Sequence, residues 1–331
     1  MTGATGFIGG HVVERLVAQG RPVRGLARRT SNTALLAATG AEIAVGDLTN
    51  AESLAAASAG CAAVVHCGAL VSDWALTSEI EAINVGGTRS LLQAAARASV
   101  RRFVHISTTD VYGPSGGETV DESRAPAADG NWYARTKLAA EAEVRRVTAN
   151  DGLDVVILRP ATVYGPRSTE VVGAIASALR TGTMLLIGGG RADAGLVYVG
   201  NLVDAIVLAL DHHGAPGATL NVTDELAVTW RRFTADLAAG LGCRPPRLSM
   251  PYRAAYTIGW MLEGGYRALR RSTGLTIPPL LSRQAVHVLG TDQRFSSRRL
   301  REQLGWEPRT GYDAGLGATL DWLRTSAQSP D

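Results

Sequence analysis

Tyr133-Ala134-Arg135-Thr136-Lys137 sets a phenol and an ammonium four residues apart. On a helix, positions i and i+4 share a face. A free tyrosine gives up its proton only near pH ~10, and a neighbouring ammonium favours the phenolate and lowers that value. Hydride delivery to a carbonyl makes an alkoxide, which needs a proton from a placed acid. Tyr133 is the candidate donor, with Lys137 tuning it and holding the ribose of a nicotinamide nucleotide. A hydroxyl nearby would bond both the phenol and the reacting oxygen. The stretch at 102–107 runs on into Ser107 and Thr108; Thr108 is the first choice and Ser107 the alternative. By itself the pair fits a plain helix surface equally well, so its surroundings must decide.

Those surroundings begin at Thr2-Gly3-Ala4-Thr5-Gly6-Phe7-Ile8-Gly9, three glycines spaced GxxGxxG ahead of a helix with one apolar face of Val12, Val13, Leu16 and Val17. Small residues let a backbone approach a pyrophosphate, and a helix amino end offers free N–H groups and a positive dipole. Gly3, Thr5, Gly6, Phe7 and Ile8 are the expected contacts. An NAD site usually carries an acid ~20 residues past this loop, on the ribose hydroxyls. Here no Asp or Glu falls between Glu14 and Glu42, and Arg28-Arg29-Thr30-Ser31 stands instead. A guanidinium at Arg28 can fork onto a 2′-phosphate, so NADP(H) is expected to be preferred over NAD(H), which stays usable. Asp47 suits the adenine amino group and Leu48 the ring face, although Asp47 could equally cap the helix that follows.

Strand-like runs at 23–26, 42–45, 63–66, 102–107 and 154–158 alternate with helical stretches at 9–19, 51–58, 80–98 and 133–149. That alternation argues for parallel βαβ units. The expected fold is α/β, a Rossmann-type doubly wound parallel sheet with a smaller, interleaved C-terminal substrate lobe. Residues 1–162 form the dinucleotide-binding part and 196–223 return to it, with a late strand at 217–223; residues 163–195 and 224–331 form the lobe. Ile106, at the carboxyl edge of its strand, is expected to border the dinucleotide, since ligands bind at that edge. A glycine fingerprint should follow a strand, yet Met1 stands where that strand would end; the first strand is expected to be truncated, with residues upstream missing.

The chain has 331 residues, 46% hydrophobic and 19% charged, enough to bury a large core. Its net charge of +3 comes without a basic stripe interleaved with aromatics, which argues against nucleic-acid binding. Cys61, Cys67 and Cys243 form no framework and have no metal-ligand spacing; no metal is expected, and a reducing compartment fits. No signal peptide and no spanning run is found, so a cytoplasmic protein without stable membrane insertion is expected. The helix at 252–271 mixes apolar and aromatic residues with Glu263 and Arg267, and is read as an amphipathic cover over the pocket that allows weak membrane contact. Trp74, in the loop 70–74, could pack on an apolar substrate. His66 and His105 are expected to be satisfied interior histidines, and Tyr112 and Tyr164 to serve two similar VYGP turns.

Taken together these motifs resemble the extended short-chain dehydrogenase/reductase superfamily, the NAD-dependent epimerase/dehydratase group, over nearly the whole chain. Val64-Val65-His66-Cys67-Gly68-Ala69 looks like its fourth-strand motif, Asn84-Val85-Gly86-Gly87-Thr88 its helix motif, and Val111-Tyr112-Gly113 its fifth-strand end. Leu158 to Pro166 resembles the turn meeting the nicotinamide carboxamide. The resemblance implies Thr108, Tyr133 and Lys137 as the catalytic set. It adds Cys67, Gly68, Ala69, Asn84, Pro160 and Val163 as cofactor contacts. It further implies a homodimer through the helices at 80–98 and 133–149. Thr162 stands where sugar-nucleotide members often carry asparagine, and Thr109-Asp110 where sugar dehydratases carry Asp-Glu; both argue against those substrates. The C-terminal stretch resembles the 3β-hydroxysteroid dehydrogenase and dihydroflavonol reductase branches, which implies a bulky, mainly apolar ketone or alcohol.

Overall fold

The computed structural model describes residues 1–71, 75–128, 132–273 and 282–326, and only the backbone of 148–151 and 267–273. Along the chain run α1 (Phe7–Ala18), β1 (Arg24–Ala27), α2 (Ala34–Thr39), β2 (Glu42–Val45), α3 (Ala51–Ser58), β3 (Ala63–His66), α4 (Thr77–Glu81), α5 (Gly87–Arg97), β4 (Arg102–Ile106), α6 (Trp132–Asp151) and β5 (Asp154–Pro160). There follow β6 (Thr162–Tyr164), α7 (Ala174–Arg180), β7 (Leu185–Ile187), β8 (Leu196–Tyr198), α8 (Val199–Asp211), β9 (Thr219–Val222), α9 (Trp230–Gly240), β10 (Leu248–Met250), α10 (Tyr252–Thr273), α11 (Arg283–Gly290), α12 (Arg298–Leu304) and α13 (Tyr312–Ser326).

The fold is the α/β Rossmann-like arrangement. Strands β3, β4, β5 and β9 lie side by side in that order, all parallel, and β1 pairs with β2. Met1 and Thr2 join the two groups. Leu26 N–H donates to the Met1 carbonyl at 2.8 Å, and Thr2 N–H to the Val65 carbonyl at 3.0 Å. The central strand is thus reduced to a single bridge, Thr2 opposite His66. The late strand rejoins the sheet as β9, beside β5.

Side chains alternate across the strands with period two. Val65, Val104, Ile106, Val156 and Leu158 face α1 and α8, where they pack on Val12, Leu16, Leu202, Val203 and Ile206. Val64, Phe103, Val155 and Ile157 face α5 and α6, against Leu91, Leu92, Ala95 and Val144. The stretch at 80–98 is not one helix: a π-turn at Ala82–Gly86 separates α4 from α5 and carries Asn84 inward. Two short parallel pairs, β6 with β8 and β7 with β10, lie outside the main sheet. A second core gathers Tyr164, Ile175, Trp230, Phe233 and Leu320 from β6, α7, α9 and α13.

Candidate active site

The glycine loop has the shape that phosphate binding requires. Gly3 has φ 65°, and a Cβ there would sit 2.8 Å from the Cys67 carbonyl carbon and the Gly68 nitrogen. A Cβ at Gly9 would sit 2.0 Å from the Gly3 carbonyl oxygen. The loop is therefore pressed against the end of β3 and the start of its own helix. Gly6 is the N-cap of α1 and no side chain caps it, which leaves the first-turn N–H groups at Phe7 and Ile8 to an incoming oxygen. Thr5 is half-buried beside them. Gly68 N–H donates to Thr2 Oγ1 at 3.1 Å. Leu48 reaches the same wall, its Cδ1 3.2 Å from where a Gly68 Cβ would be. Ala69, next along, is half-buried.

Arg28 is exposed just beyond β1. Its charge helps hold the Asp47 carboxyl below its usual range, behind the larger effect of two hydrogen bonds from Thr49. Those bonds, at 2.8 and 2.7 Å, close a local turn. The cap of α3 is Asn50, which accepts from Ser53 N–H at 2.8 Å, so Asp47 is not the capping residue.

Lys137 is buried in α6, and its Nζ donates to the Ile106 carbonyl at 2.5 Å, at the carboxyl end of β4. Tyr133 lies one turn earlier, where Thr136 Oγ1 ties back to its carbonyl at 2.9 Å. Ser107 and Thr108 divide the hydroxyl question. Ser107 Oγ is buried and donates to Glu141 at 2.6 Å, whereas Thr108 Oγ1 is half-buried and, among the described residues, accepts from Asp110 N–H alone, at 3.2 Å. Pro160 ends β5 at the same edge, and Val163 in β6 packs partly buried behind it.

The electrostatics reverse one expectation. Burial pushes the Tyr133 phenol above its ordinary value, and the charge of Asp110 pushes it further. Burial lowers Lys137 to about 8, against the opposing charges of Cys67 and Glu141. Burial and Asp110 set the phenol, and the Lys137 charge does not offset them. Burial also lifts the Cys67 thiol to about 12.

The sequence profile of the NAD dependent epimerase/dehydratase family matches residues 1–223. The chain belongs to that family. Among similar proteins is 4-hydroxy-2-methyl-3-oxo-4-farnesyl-3,4-dihydroquinoline-1-oxide ketoreductase of Stigmatella aurantiaca, 31% identical over 96% of this chain and 94% of that one. Sterol demethylase protein B of Methylococcus capsulatus is 32% identical over 98% and 97%. Among solved structures, dTDP-glucose 4,6-dehydratase of Streptomyces venezuelae, with NAD bound, is 27% identical, with a TM-score of 0.79 over 98% of this chain and 95% of that one. As a member of the extended short-chain dehydrogenase/reductases, the chain is a nicotinamide-dinucleotide-dependent oxidoreductase, and its glycine cradle fits that cofactor.

Several family positions behave differently from expectation. Asn84 is buried with its amide engaged: Oδ1 accepts from Leu70 N–H at 2.7 Å, and Nδ2 donates to the Leu70 carbonyl at 3.1 Å and to Thr136 Oγ1 at 3.2 Å. It pins the loop after β3 to α6. His66 is satisfied as expected, by Thr2 at 2.7 Å and Thr88 at 2.8 Å. His105 is not: both ring nitrogens are buried without a hydrogen-bond partner among the described residues. Burial and the Lys137 charge keep the two histidines neutral, His66 at about 3. Tyr112 and Tyr164 are fully buried and serve the core. Tyr112 donates to Asn221 at 2.9 Å and accepts from Arg159 at 2.7 Å. Trp74 lies outside the described residues.

Two contributors carry no sequence signal. Gln284 of α11 donates to Asp110 Oδ2 at 2.8 Å and so reaches the turn after β4 from the far end of the chain. Glu141, one turn past Lys137, forms a buried forked pair with Arg159 at 2.8 and 2.6 Å.

Proposed function

We propose that the protein reduces the ketone of a bulky, mainly apolar small molecule, with NADP(H) preferred over NAD(H). One observation carries the reading: at the carboxyl edge of the sheet, Lys137 is anchored on Ile106, and Thr108 bonds only a backbone N–H among the described residues while Ser107 is tied to Glu141. The dinucleotide supplies hydride when bound. Gly3, Gly6 and the open amino end of α1 would hold its pyrophosphate, and Leu48, Cys67, Gly68 and Ala69 the wall beside it. Thr108 would orient the substrate oxygen, and Tyr133 would give it the proton. Its raised phenol value keeps Tyr133 protonated at neutral pH, the form that reduction needs and oxidation does not. The exposed Arg28, with no acid nearby in sequence, supports the 2′-phosphate preference. Relatives that by name reduce a farnesylated ketone or act on sterols support the substrate class. The same reading has a cytoplasmic homodimer joined by the outer faces of α5 and α6, where Arg89, Gln93, Ala139 and Ala142 are exposed.

The test is net cofactor oxidation against a panel of sterol, β-keto-acid and flavonoid-like ketones, with NADPH and NADH in parallel. Consumption of NADPH is expected. Tyr133→Phe should lower turnover about 10²–10⁴-fold while cofactor affinity holds. Turnover unchanged in that variant, or product formed without net cofactor change, would overturn the proposal. NADH used as well as NADPH would remove the cofactor preference.

A further inference from the structure

The largest unexplained surface is α10. It packs through a narrow seam of Ala255, Gly259, Glu263 and Tyr266, all buried, mainly toward α11. Glu263 in that seam is committed to Arg283, accepting from its backbone N–H and from Nε, each at 2.8 Å. The rest of the described helix faces outward, and it is apolar where an outer face should be polar. Trp260 and Met261 are 59% and 60% exposed, and Tyr256, Ile258 and Leu262 are exposed beside them. Half of the chain's exposed large apolar side chains among the described residues sit on this one helix. Leu248, in the neighbouring β10, is exposed as well.

Charge says what covers such a face. Of the 33 basic and 30 acidic residues in the chain, seven arginines and one glutamate fall between Arg244 and Arg283. The remainder of the chain therefore holds 26 basic and 29 acidic residues and is net negative, while this segment is strongly positive. Its single acid is the seam residue Glu263. Arg244, Arg247 and Arg253 are exposed. Arg253, Trp260 and Arg267 recur every seven residues, two helical turns apart, so their positions follow one line along the helix. A second copy of the chain would bring an equally positive face against this one. An anionic lipid surface meets both properties: apolar side chains and a tryptophan enter the headgroup boundary while arginines pair with lipid phosphates.

We propose that α10 is a peripheral membrane-docking helix that seats the protein on anionic lipid bilayers. It lies on the surface and does not span: no helix among the described residues is long and apolar enough to cross a membrane. The proposal stands apart from the reaction, because neither Trp260 nor Met261 belongs to the catalytic machinery.

Co-sedimentation of the full chain with phosphatidylcholine vesicles, with and without phosphatidylglycerol, tests it. The wild type is expected to sediment with the anionic vesicles, weakly with the neutral ones, and to be released as salt rises to about 0.5 M. The double variant Trp260→Glu/Met261→Glu should lower the partition coefficient at least tenfold, with an unchanged melting temperature. Affinity for NADPH, whose expected contacts lie on the glycine loop far from α10 in sequence, should stay equal in both proteins, which keeps a failed cofactor site distinct from a failed membrane contact. The proposal is overturned if the wild type ignores anionic vesicles, or if the variant binds them as well. It is also overturned if, without lipid, the wild type is a dimer that the variant dissolves, since the face then belongs to a second copy.

Discussion

Replacing Glu141 by glutamine removes the carboxylate of α6 that, among the described residues, alone neutralises the buried guanidinium of Arg159. Glu141 is fully buried and Arg159 is 3% exposed. The carboxylate accepts from Arg159 twice, from Ser107 at 2.6 Å and from Arg145 at 2.7 Å. The amide keeps the shape but leaves Arg159 an uncompensated buried cation, a change that costs about 3–5 kcal/mol. With an unfolding entropy of about 2.1 cal/mol/K per residue, a chain of this length loses about 1.4 °C per kcal/mol, so Tm should fall by about 4–7 °C. Thermal and urea denaturation followed by circular dichroism read both numbers. The loss should shrink in acid. Burial raises the Glu141 carboxyl, but hydrogen bonds and charge from Arg159, with Ser107 and Arg145, bring it below its ordinary value. Its contribution is therefore complete above the unfolded value near ~4.3 and disappears as pH falls through the lower folded value. The double variant Glu141→Leu/Arg159→Met should recover most of the stability, because it removes both charges. A loss under about 1 kcal/mol for Glu141→Gln, or a double variant worse than the single one, would refute the reasoning.

Two other buried charges should show the opposite sign. Lys137 is held at about 8, below the unfolded value near ~10.4, so its ammonium disfavours folding at neutral pH and the penalty fades as pH rises from 8 toward 10.4. Lys137→Met should add about 1–3 kcal/mol at pH 7, after the lost bond to Ile106, while turnover collapses; a melting curve paired with an activity assay checks both. Burial lifts Asp224 to about 6, against the lowering effect of hydrogen bonds from Tyr198 N–H and Asn201. The unfolded chain ionises first, so stability is lost as pH rises from about 4 to 6. Asp224→Asn, which still accepts from Tyr198 N–H, should stabilise by up to about 3 kcal/mol at pH 7.5 and by nothing near pH 4, as urea midpoints at the two pH values would show.

Short apolar runs alternating with helical stretches were legible in the sequence. Strands β2 and β3 and helix α3 fall where that alternation put them, and β9 was readable as a late strand rejoining the sheet. The three-residue strands β6, β7, β8 and β10 were not, because they show fewer residues than a period needs. The π-turn around Asn84 was hidden by a continuous helical composition, although the shift is what turns that side chain toward Leu70 and Thr136. At the site, Tyr133, Lys137 and the glycine loop were readable because one element carries each. Gln284 on Asp110 and Arg159 on Glu141 were not, because each contact crosses elements and depends on packing.

The same distinction explains why the sign of the phenol shift could not be read from spacing. An i, i+4 ammonium lowers a phenol only where its attraction exceeds the cost of burying the phenolate. Here both groups sink together. Lys137 is 3% exposed and rests on the Ile106 carbonyl, above two histidines that its own charge helps keep neutral. The only fully buried carboxylate nearby among the described residues, Glu141, is committed to Arg159. An ammonium left without a dedicated counter-ion is costly, yet it is also the group most responsive to a polyhydroxyl ligand that can accept its remaining hydrogens. On the proposed reading, a ribose hydroxyl beside Lys137 would accept one of those hydrogens and offset part of that cost.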